Sequence, residues 1–222
     1  MINFLKSLFL VISILFSSSV FATWHVCTGF FVSSDGYIGT AAHCYGDYIS
    51  IRLEVNGKKV FKKAQVIAKD TIHDVMLLKI DAVNAPFFKL NTDDPLLYSE
   101  LATIGYPSPD DYGYWKYARI GEVIGDKGKV FVMHLWSQPG SSGSPVFDSN
   151  NTLHGVLVEC YQSQGRCTGK ATYIAKSKYL EAIAERVGVF LQYSMSVYSH
   201  FDEDYFKNNK DKIILIYSET RN

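Results

Sequence analysis

Short stretches in which apolar and polar residues alternate recur through most of the chain. In the clearest, YISIRLEV at residues 48–55, every second residue is apolar: Ile49, Ile51, Leu53 and Val55. Alternation of this kind predicts a strand with one buried face. Many such short runs, separated by Gly, Asp, Asn and Pro, are typical of an all-β sandwich or barrel. We therefore expect an all-β fold.

One stretch departs from this pattern and has helical spacing. In SKYLEAIAERVG the apolar residues Tyr179, Leu180, Ile183 and Val187 recur near the period of a helix, and Gly188 follows where a C-cap is expected. The sequence therefore predicts one helix near the C-terminus.

The N-terminus has the pattern of an export signal. Lys6 precedes an apolar run at residues 8–16, and Val20 and Ala22 occupy the small-residue positions of a cleavage site. The apolar run is shorter than the roughly 20 residues of a spanning helix, which argues against a membrane anchor. We expect cleavage after Ala22 and a secreted or periplasmic protein without stable membrane insertion.

Length, composition and charge narrow the function classes. The chain has 222 residues, 47% hydrophobic and 20% charged, which suits one large domain or two halves with a packed core. The formal net charge is zero, so nothing predicts a nucleic-acid partner. The oligomeric state stays open.

Four cysteines follow the predicted signal: Cys27, Cys44, Cys160 and Cys167. An even number in an exported protein predicts two disulfides, for which three pairings are possible. We favour the nearest-neighbour set. No spacing is typical of a zinc or redox site, so no metal and no cofactor are expected.

The stretch QPGSSGSPVFD carries three serines: Ser141, Ser142 and Ser144. A serine hydroxyl is a poor nucleophile unless a base, an orienting acid and oxyanion donors surround it. Upstream, His43 in GTAAHC and Asp74 in TIHDVMLLKI supply a base and an acid. The order His, Asp, Ser differs from that of the α/β-hydrolases and of the subtilisins.

Other residues compete for these roles. Asp70 is the alternative acid, although it does not lead directly into an apolar strand, and His73 is interpreted as a surface residue. Ser141 and Ser144 are interpreted as turn residues that bind local backbone groups.

TAAHC, HDVMLLKI and PGSSGSPVFD together resemble the trypsin-fold serine proteases. TGFFVSSDGYIGTAAH is similar to the bacterial HtrA and glutamyl-endopeptidase branch, and the resemblance covers about residues 25–188. It implies two six-stranded Greek-key β-barrels with the active site between them, plus a C-terminal helix. The protease domain would span 23–190, divided near 90–100, followed by an extension of unknown role at 191–222. IILIY in that extension could add a strand to a barrel edge or bind a partner.

The resemblance also assigns roles. It implies that Ser142 is the nucleophile, His43 the general base and Asp74 the residue that orients the histidine. The amides of Gly140 and Ser142 would form the oxyanion hole. The resemblance further supports a Cys27–Cys44 bridge beside the histidine; Cys160–Cys167 has no clear counterpart.

Activation and specificity follow from neighbouring positions. Ser141 stands where trypsins have the Asp that pairs with a new N-terminus, so no trypsin-type activation is expected. The substrate pocket would be formed by the residues Trp136, Pro139, Val158, Glu159 and Cys160. Trp136 falls, by counting, at the base of the pocket, which argues against cleavage after Lys or Arg and favours a small or shallow apolar pocket.

The predicted function is therefore a serine endopeptidase that acts on proteins or peptides through an acyl-enzyme. Two alternatives stay open. One is a protease fold without activity that serves as a binding module, and the other is an esterase with the same triad.

Overall fold

The computed structural model of the protein describes residues 22–55, 57–81, 84–107 and 115–221. The predicted signal peptide lies outside these residues, apart from its last position. Among the described residues, no helix is both long and apolar enough to cross a membrane.

Seven strands form the sheet of the first half. They are β1 (Ala22–Phe31), β2 (Tyr37–Thr40), β3 (Tyr48–Val55), β4 (Lys58–Lys63), β5 (Gln65–Asp70), β6 (Val75–Lys79) and, from the far end of the chain, β14 (Ile213–Arg221). Their order is β4-β3-β14-β1-β2-β6-β5, and each neighbouring pair is antiparallel.

The two edges of this sheet are consecutive in the chain. Only Ala64 separates β4 from β5, and its amide donates to the carbonyl of Ile49 at 2.9 Å. One bent segment therefore pairs with β3 through its first part and with β6 through its second, which curls the sheet round on itself. With β4 and β5 taken as that one segment, the first half has the six strands that the resemblance implied.

The second half is a barrel closed by its own ladders. Its strands are β7 (Lys89–Leu90), β8 (Glu100–Gly105), β9 (Tyr117–Asp126), β10 (Val130–His134), β11 (Pro145–Phe147), β12 (Thr152–Ser163) and β13 (Arg166–Lys176). The order is β11-β8-β9-β10-β13-β12-β7, and β11 also pairs with β12. This last pairing closes six strands, while β7 lies outside as a short parallel neighbour of β12. The expected all-β, two-barrel fold is confirmed.

The predicted C-terminal helix is also confirmed. It is α1 (Ser177–Glu185), and it packs on β5, β6 and β12 with Leu180 and Ile183 buried. Val187 lies beyond its end and is exposed, while Gly188 has the left-handed φ of 74° that favours glycine. A second, short helix, α2 (Tyr205–Asn209), lies in the tail.

The tail connects the two halves. The amide of Ser194 donates to the carbonyl of Leu90, and the amide of Leu90 donates to the carbonyl of Gln192. The tail therefore first lies along the second half. It then returns to the first half as β14, between β1 and β3. The IILIY run is thus an internal strand of the first sheet and not an edge strand.

One buried cluster spans both halves. Phe88, fully buried in the connection between them, contacts Phe30 of β1 with ring centroids 5.9 Å apart and Phe147 of β11 at 5.0 Å. Leu77 and Val156 belong to the same cluster. Shared apolar burial of this kind holds the facing surfaces of the two halves in register, and a cleft lies where they meet.

Candidate active site

His43 lies at the end of the first half that faces the cleft. It belongs to a short 3-10 helix, Ala42–Cys44, that directly follows β2. The neighbouring Cys44 is bonded to Cys27 of β1, so the histidine segment is covalently attached to the sheet. The other two cysteines, Cys160 and Cys167, are bonded to each other, which gives the nearest-neighbour pairing.

Asp74 fixes the orientation of the His43 ring. Its Oδ2 is 2.7 Å from His43 Nδ1, and its Oδ1 accepts the backbone amide of His43 at 2.8 Å. The carboxylate reaches this position because Asp74 adopts a left-handed φ of 56° immediately before β6. With Nδ1 donating to the carboxylate, the neutral imidazole carries its lone pair on Nε2, ready to accept a proton.

Asp70, the competing acid, serves the turn that leads to Asp74. Its Oδ1 accepts the amides of Ile72 at 2.8 Å and His73 at 3.1 Å, and its Oδ2 is 2.6 Å from His73 Nδ1. Burial alone would raise the pKa of Asp70, but the hydrogen bonds from the ring and amide of His73 outweigh it and hold the pKa below its usual value.

His73 is more than the surface residue that the sequence indicated. Its ring stacks on Tyr179 of α1 with centroids 3.7 Å apart, and its side chain is 24% exposed. Together with Asp70 it links the turn at residues 70–74 to the helix. The Asp-x-x-His spacing was the available signal, since an aspartate often binds amides two and three residues on.

The Ser142 loop is shaped by main-chain hydrogen bonds. Gly140 and Gly143 have left-handed φ values of 89° and 82°. The amide of Ser141 donates to Gln138 at 2.9 Å, and that of Gly143 donates to Leu157 of β12 at 2.7 Å. Within the part of the chain that the structure describes, the amides of Gly140 and Ser142 donate to no protein acceptor.

The three serines of the loop have different surroundings. Ser144 is buried, and its hydroxyl donates to the carbonyl of Ser141 at 2.6 Å. Ser141 Oγ is 3.4 Å from the amide of Gln138, which donates to it. Ser142 is half-buried and lines the cleft together with His43 and Asp74. Of the three, Ser142 is the one that lines this cleft.

The cleft has a volume of about 420 Å³. Four of the five expected pocket residues line it, namely Pro139, Val158, Glu159 and Cys160. Besides these four and His43, Asp74 and Ser142, the cleft is lined by Ser137, Gln138, Leu157, Gln162 and Cys167. The Cys160–Cys167 bridge therefore forms part of one wall, and the lining is mixed rather than the apolar surface that the sequence favoured.

Trp136 is the expected pocket residue that lies elsewhere. It is 40% exposed while its neighbours Leu135 and Ser137 are buried, because successive side chains of an extended segment point to opposite sides. Trp136 lines a separate small cavity, with the Arg119 guanidinium 5.4 Å from its ring. Ser137, one residue later, contributes to the cleft in its place.

A metal has no evident site near the histidine. Cys27, His43 and Cys44 bring potential ligand atoms close together, and this is the one such group found among the residues that the structure describes. Both of its sulfurs are in a disulfide, so neither is a thiolate that could bind a metal ion.

More than half of the chain is similar to known proteins. Residues 27–156 match the family described as "Trypsin-like peptidase domain". Among curated proteins, the "Probable periplasmic serine endoprotease DegP-like" of Pseudomonas putida is 28% identical over 152 residues, which cover 64% of this chain and 30% of the relative. The protein of the same name from Halomonas elongata is 29% identical over 149 residues, 64% of this chain and 31% of the relative. The chain spans about a third of the length of these curated relatives.

Solved structures show the same fold. The serine endoprotease from Yersinia pestis superposes with a TM-score of 0.60 at 20% identity, covering 73% of this chain and 57% of the other. The HtrA-type protease AlgW with a tripeptide gives 0.60 at 22% identity, covering 73% and 60%. Because the family match extends over more than half of its length, the chain belongs to the trypsin-like peptidase domain family.

Proposed function

We propose that this protein is a secreted or periplasmic serine endopeptidase in which Ser142, His43 and Asp74 form the catalytic triad. One observation carries the proposal. Asp74 contacts both the ring and the backbone of His43, at 2.7 and 2.8 Å, on the cleft that Ser142 also lines. A serine is activated as a nucleophile by an adjacent base that a third group orients, and we assign those two roles to His43 and Asp74.

The reaction proceeds by transfer of one proton back and forth. His43 Nε2 takes the proton of Ser142 Oγ while the oxygen attacks the carbonyl carbon of the peptide. The carbon–nitrogen bond then breaks, and His43 returns the proton to the leaving amine. Water repeats the attack on the acyl-enzyme, with His43 as its base, and releases the acid and free Ser142.

Two main-chain amides stabilise the negative charge that forms on the carbonyl oxygen. The amides of Gly140 and Ser142 have no protein acceptor within the described residues, and they belong to a loop held in place before substrate binds. Donors fixed in advance need no reorganisation as charge develops, which is worth about 3 kcal/mol for a single donor in enzymes of this chemistry.

We infer that activation of the trypsin type is not required. Ser141 offers no carboxylate to a new N-terminus, and its hydroxyl lies beside the Gln138 amide. Thr23, the predicted first residue of the mature chain, is paired with Thr220 in the first sheet. A single cleavage, that of the signal peptide, is expected in the active protein, and mass spectrometry of purified active material checks this.

The test compares two serines of one loop. Ser142→Ala should lower casein hydrolysis by at least about a thousandfold and abolish labelling by a fluorophosphonate. Ser144→Ala is the matched control, because its hydroxyl binds only a neighbouring carbonyl; it should stay within a few-fold of wild type.

The two alternative functions, a binding module and an esterase, predict different results in these assays. A folded wild-type protein that neither hydrolyses casein nor reacts with the phosphonate would be a binding module. Turnover of esters without turnover of peptides would make it an esterase. Loss of activity in Ser144→Ala, with Ser142→Ala active, would overturn the assignment of the nucleophile.

A further inference from the structure

Thr28 of β1 is the residue of the first half that contacts the Ser142 loop most extensively. It is fully buried, and its polar atoms are all engaged. Its amide donates to the carbonyl of Ser142 at 2.8 Å, and its hydroxyl donates to the carbonyl of Gly140 at 2.9 Å. Thr28 therefore binds the loop at the two residues whose amides are proposed to stabilise the oxyanion.

The direction of the hydroxyl proton is fixed by a third contact. The amide of Tyr106, just after β8, donates to Thr28 Oγ1 at 2.8 Å. Since Oγ1 accepts that hydrogen, its own proton is directed to the carbonyl of Gly140. A side chain at this position must both accept and donate, which threonine and serine can do and valine cannot.

The peptide unit between Gly140 and Ser141 is consequently held at both ends. Thr28 binds its oxygen, and its N–H donates to the carbonyl of Gln138 at 2.9 Å. A peptide group is planar and rigid, so two such contacts fix its rotation. Gly140 has a left-handed φ of 89°, and without side-chain restraint it would otherwise rotate readily.

We propose that Thr28 is a positioning residue for the oxyanion loop, acting across the interface between the halves without touching substrate. The inference rests on the proposed peptidase function. Its neighbour Cys27 attaches the His43 segment to the same strand through the disulfide with Cys44. Two consecutive residues of β1 thus set the position of the base and of the nucleophile loop relative to each other.

The experiment removes the hydroxyl and then restores it. Thr28→Val should lower kcat for a chromogenic peptide about 10- to 100-fold, with KM within about threefold, because the oxyanion donors act in the transition state. Thr28→Ser, which keeps the hydroxyl, should recover most of the wild-type kcat. Thr28→Ala is a second variant that lacks the extra methyl, in case Thr28→Val does not fold.

Thr103→Val is the matched structural control. Thr103 of β8 is also buried, and its hydroxyl donates to the carbonyl of Pro145 at 2.8 Å. This variant loses one buried hydrogen bond without losing a contact to the carbonyls of Gly140 and Ser142. It should lower thermal stability by an amount similar to Thr28→Val while kcat falls less than about threefold.

A measurement independent of activity separates this inference from the proposed function. In a Ser142→Ala background, Thr28→Val should shift the amide resonances of Gly140 and Ser141 and speed the hydrogen exchange of the Ser141 amide, while Thr103→Val should leave both resonances in place. Three results would each overturn the positioning role. They are an unchanged kcat in folded Thr28→Val or Thr28→Ala, a loss of kcat in Thr28→Ser equal to that in Thr28→Val, and loop amide resonances that do not move. Absence of hydrolysis in the wild type, with the amide effect present, would overturn the peptidase proposal alone.

Discussion

The two sides of the cleft are held by different kinds of contact. His43 and Asp74 are fixed by side chains, through two hydrogen bonds and a neighbouring disulfide. The Ser142 loop is fixed through its backbone, by Gly140 and Gly143 in left-handed conformations and by carbonyls bound to Thr28. Side-chain contacts of the base can be weakened one by one, whereas the loop has little room for any added atom.

This difference implies unequal tolerance to substitution. Around the base, loss of one contact leaves the others, so activity should decline in steps. In the loop, a single methyl group is expected to disturb the backbone, the proposed oxyanion donors and the contact with β1 together. The three changes below test this contrast.

The largest effect is expected from Gly143→Ala. A Cβ at this position would lie 2.1 Å from the carbonyl oxygen of Thr28 and 2.2 Å from Thr40 Oγ1, and φ is 82°. Because the first of these is backbone, the loop itself must shift. We expect a loss of about 3 kcal/mol or more in the free energy of unfolding and at least a roughly hundredfold fall in kcat/KM, measured by urea denaturation and peptide hydrolysis.

Gly128→Ala separates crowding from backbone strain. Gly128 has a comparable φ of 76°, but a Cβ there would meet nothing within 4 Å. Gly128→Ala should lower the free energy of unfolding by about 1 kcal/mol and leave kcat/KM unchanged. Similar losses in both variants would show that the conformation alone, and not the close approach to β1, limits the loop.

An intermediate effect is expected from removal of the Cys27–Cys44 bridge by a double Cys→Ala change. The bridge closes a loop with a sequence separation of 17, which corresponds to about 3 kcal/mol in the chain-entropy model. Activity at low temperature should persist, reduced by less than about tenfold, because Asp74 still holds the ring of His43. Urea denaturation and peptide hydrolysis below the melting temperature measure the two quantities.

The second bridge provides the comparison. Cys160 and Cys167 are separated by only 7 positions, so their removal should destabilise the fold by roughly 1 kcal/mol less and affect mainly KM, since both line the cleft. A complete loss of activity in a folded Cys27/Cys44 variant would mean that the base depends on the disulfide as strictly as the loop depends on Gly143.

The smallest effect is expected from Asp70→Asn, at the turn before Asp74. The pKa of Asp70 is lower in the folded protein than its ordinary value, so its carboxylate stabilises the fold above about pH 4 and loses that contribution as pH falls through the folded pKa. The variant should be less stable by about 1 to 2 kcal/mol at pH 7, with the difference closing toward pH 3. Urea denaturation across that range measures it.

Asp202→Asn is the control for a carboxylate without such contacts, since Asp202 is exposed. Its free energy of unfolding should stay within about 0.5 kcal/mol of wild type at pH 7. A gap between Asp70→Asn and wild type that does not narrow below about pH 4 would contradict the assigned contacts with His73.

Local patterns in the sequence were enough to predict the strands and to name the residues of the candidate site. Alternation at residues 48–55 predicted β3, and the motifs around His43, Asp74 and Ser142 named residues that the structure brings to one cleft. Counting residues along the chain placed Trp136 at the base of the pocket, whereas its side chain lies outside the cleft. In an extended segment, a shift of one residue changes which side chain faces the cleft.

The features that the sequence did not predict are contacts between segments far apart in the chain. Thr28 begins the stretch TGFFVSSDGYIGTAAH, but that local pattern does not predict its contact with Gly140, which is 112 positions away. The pairing of β14 with β1 and β3 is equally non-local, and an apolar run such as IILIY carries no information about its neighbours. The turn at Asp70 was the exception, since its spacing to His73 is local and could have been recognised.

The position of β14 has a consequence for the order in which the molecule is assembled. Thr23 pairs with Thr220, so the sheet that carries the histidine gains its internal strand only after nearly the whole described chain has been synthesised. The second half contains its closing ladders within residues 89–176 and can form earlier. Pairing between such distant segments is slow. The sheet that carries His43 and Asp74 is therefore expected to be completed after the ladders that close the second half.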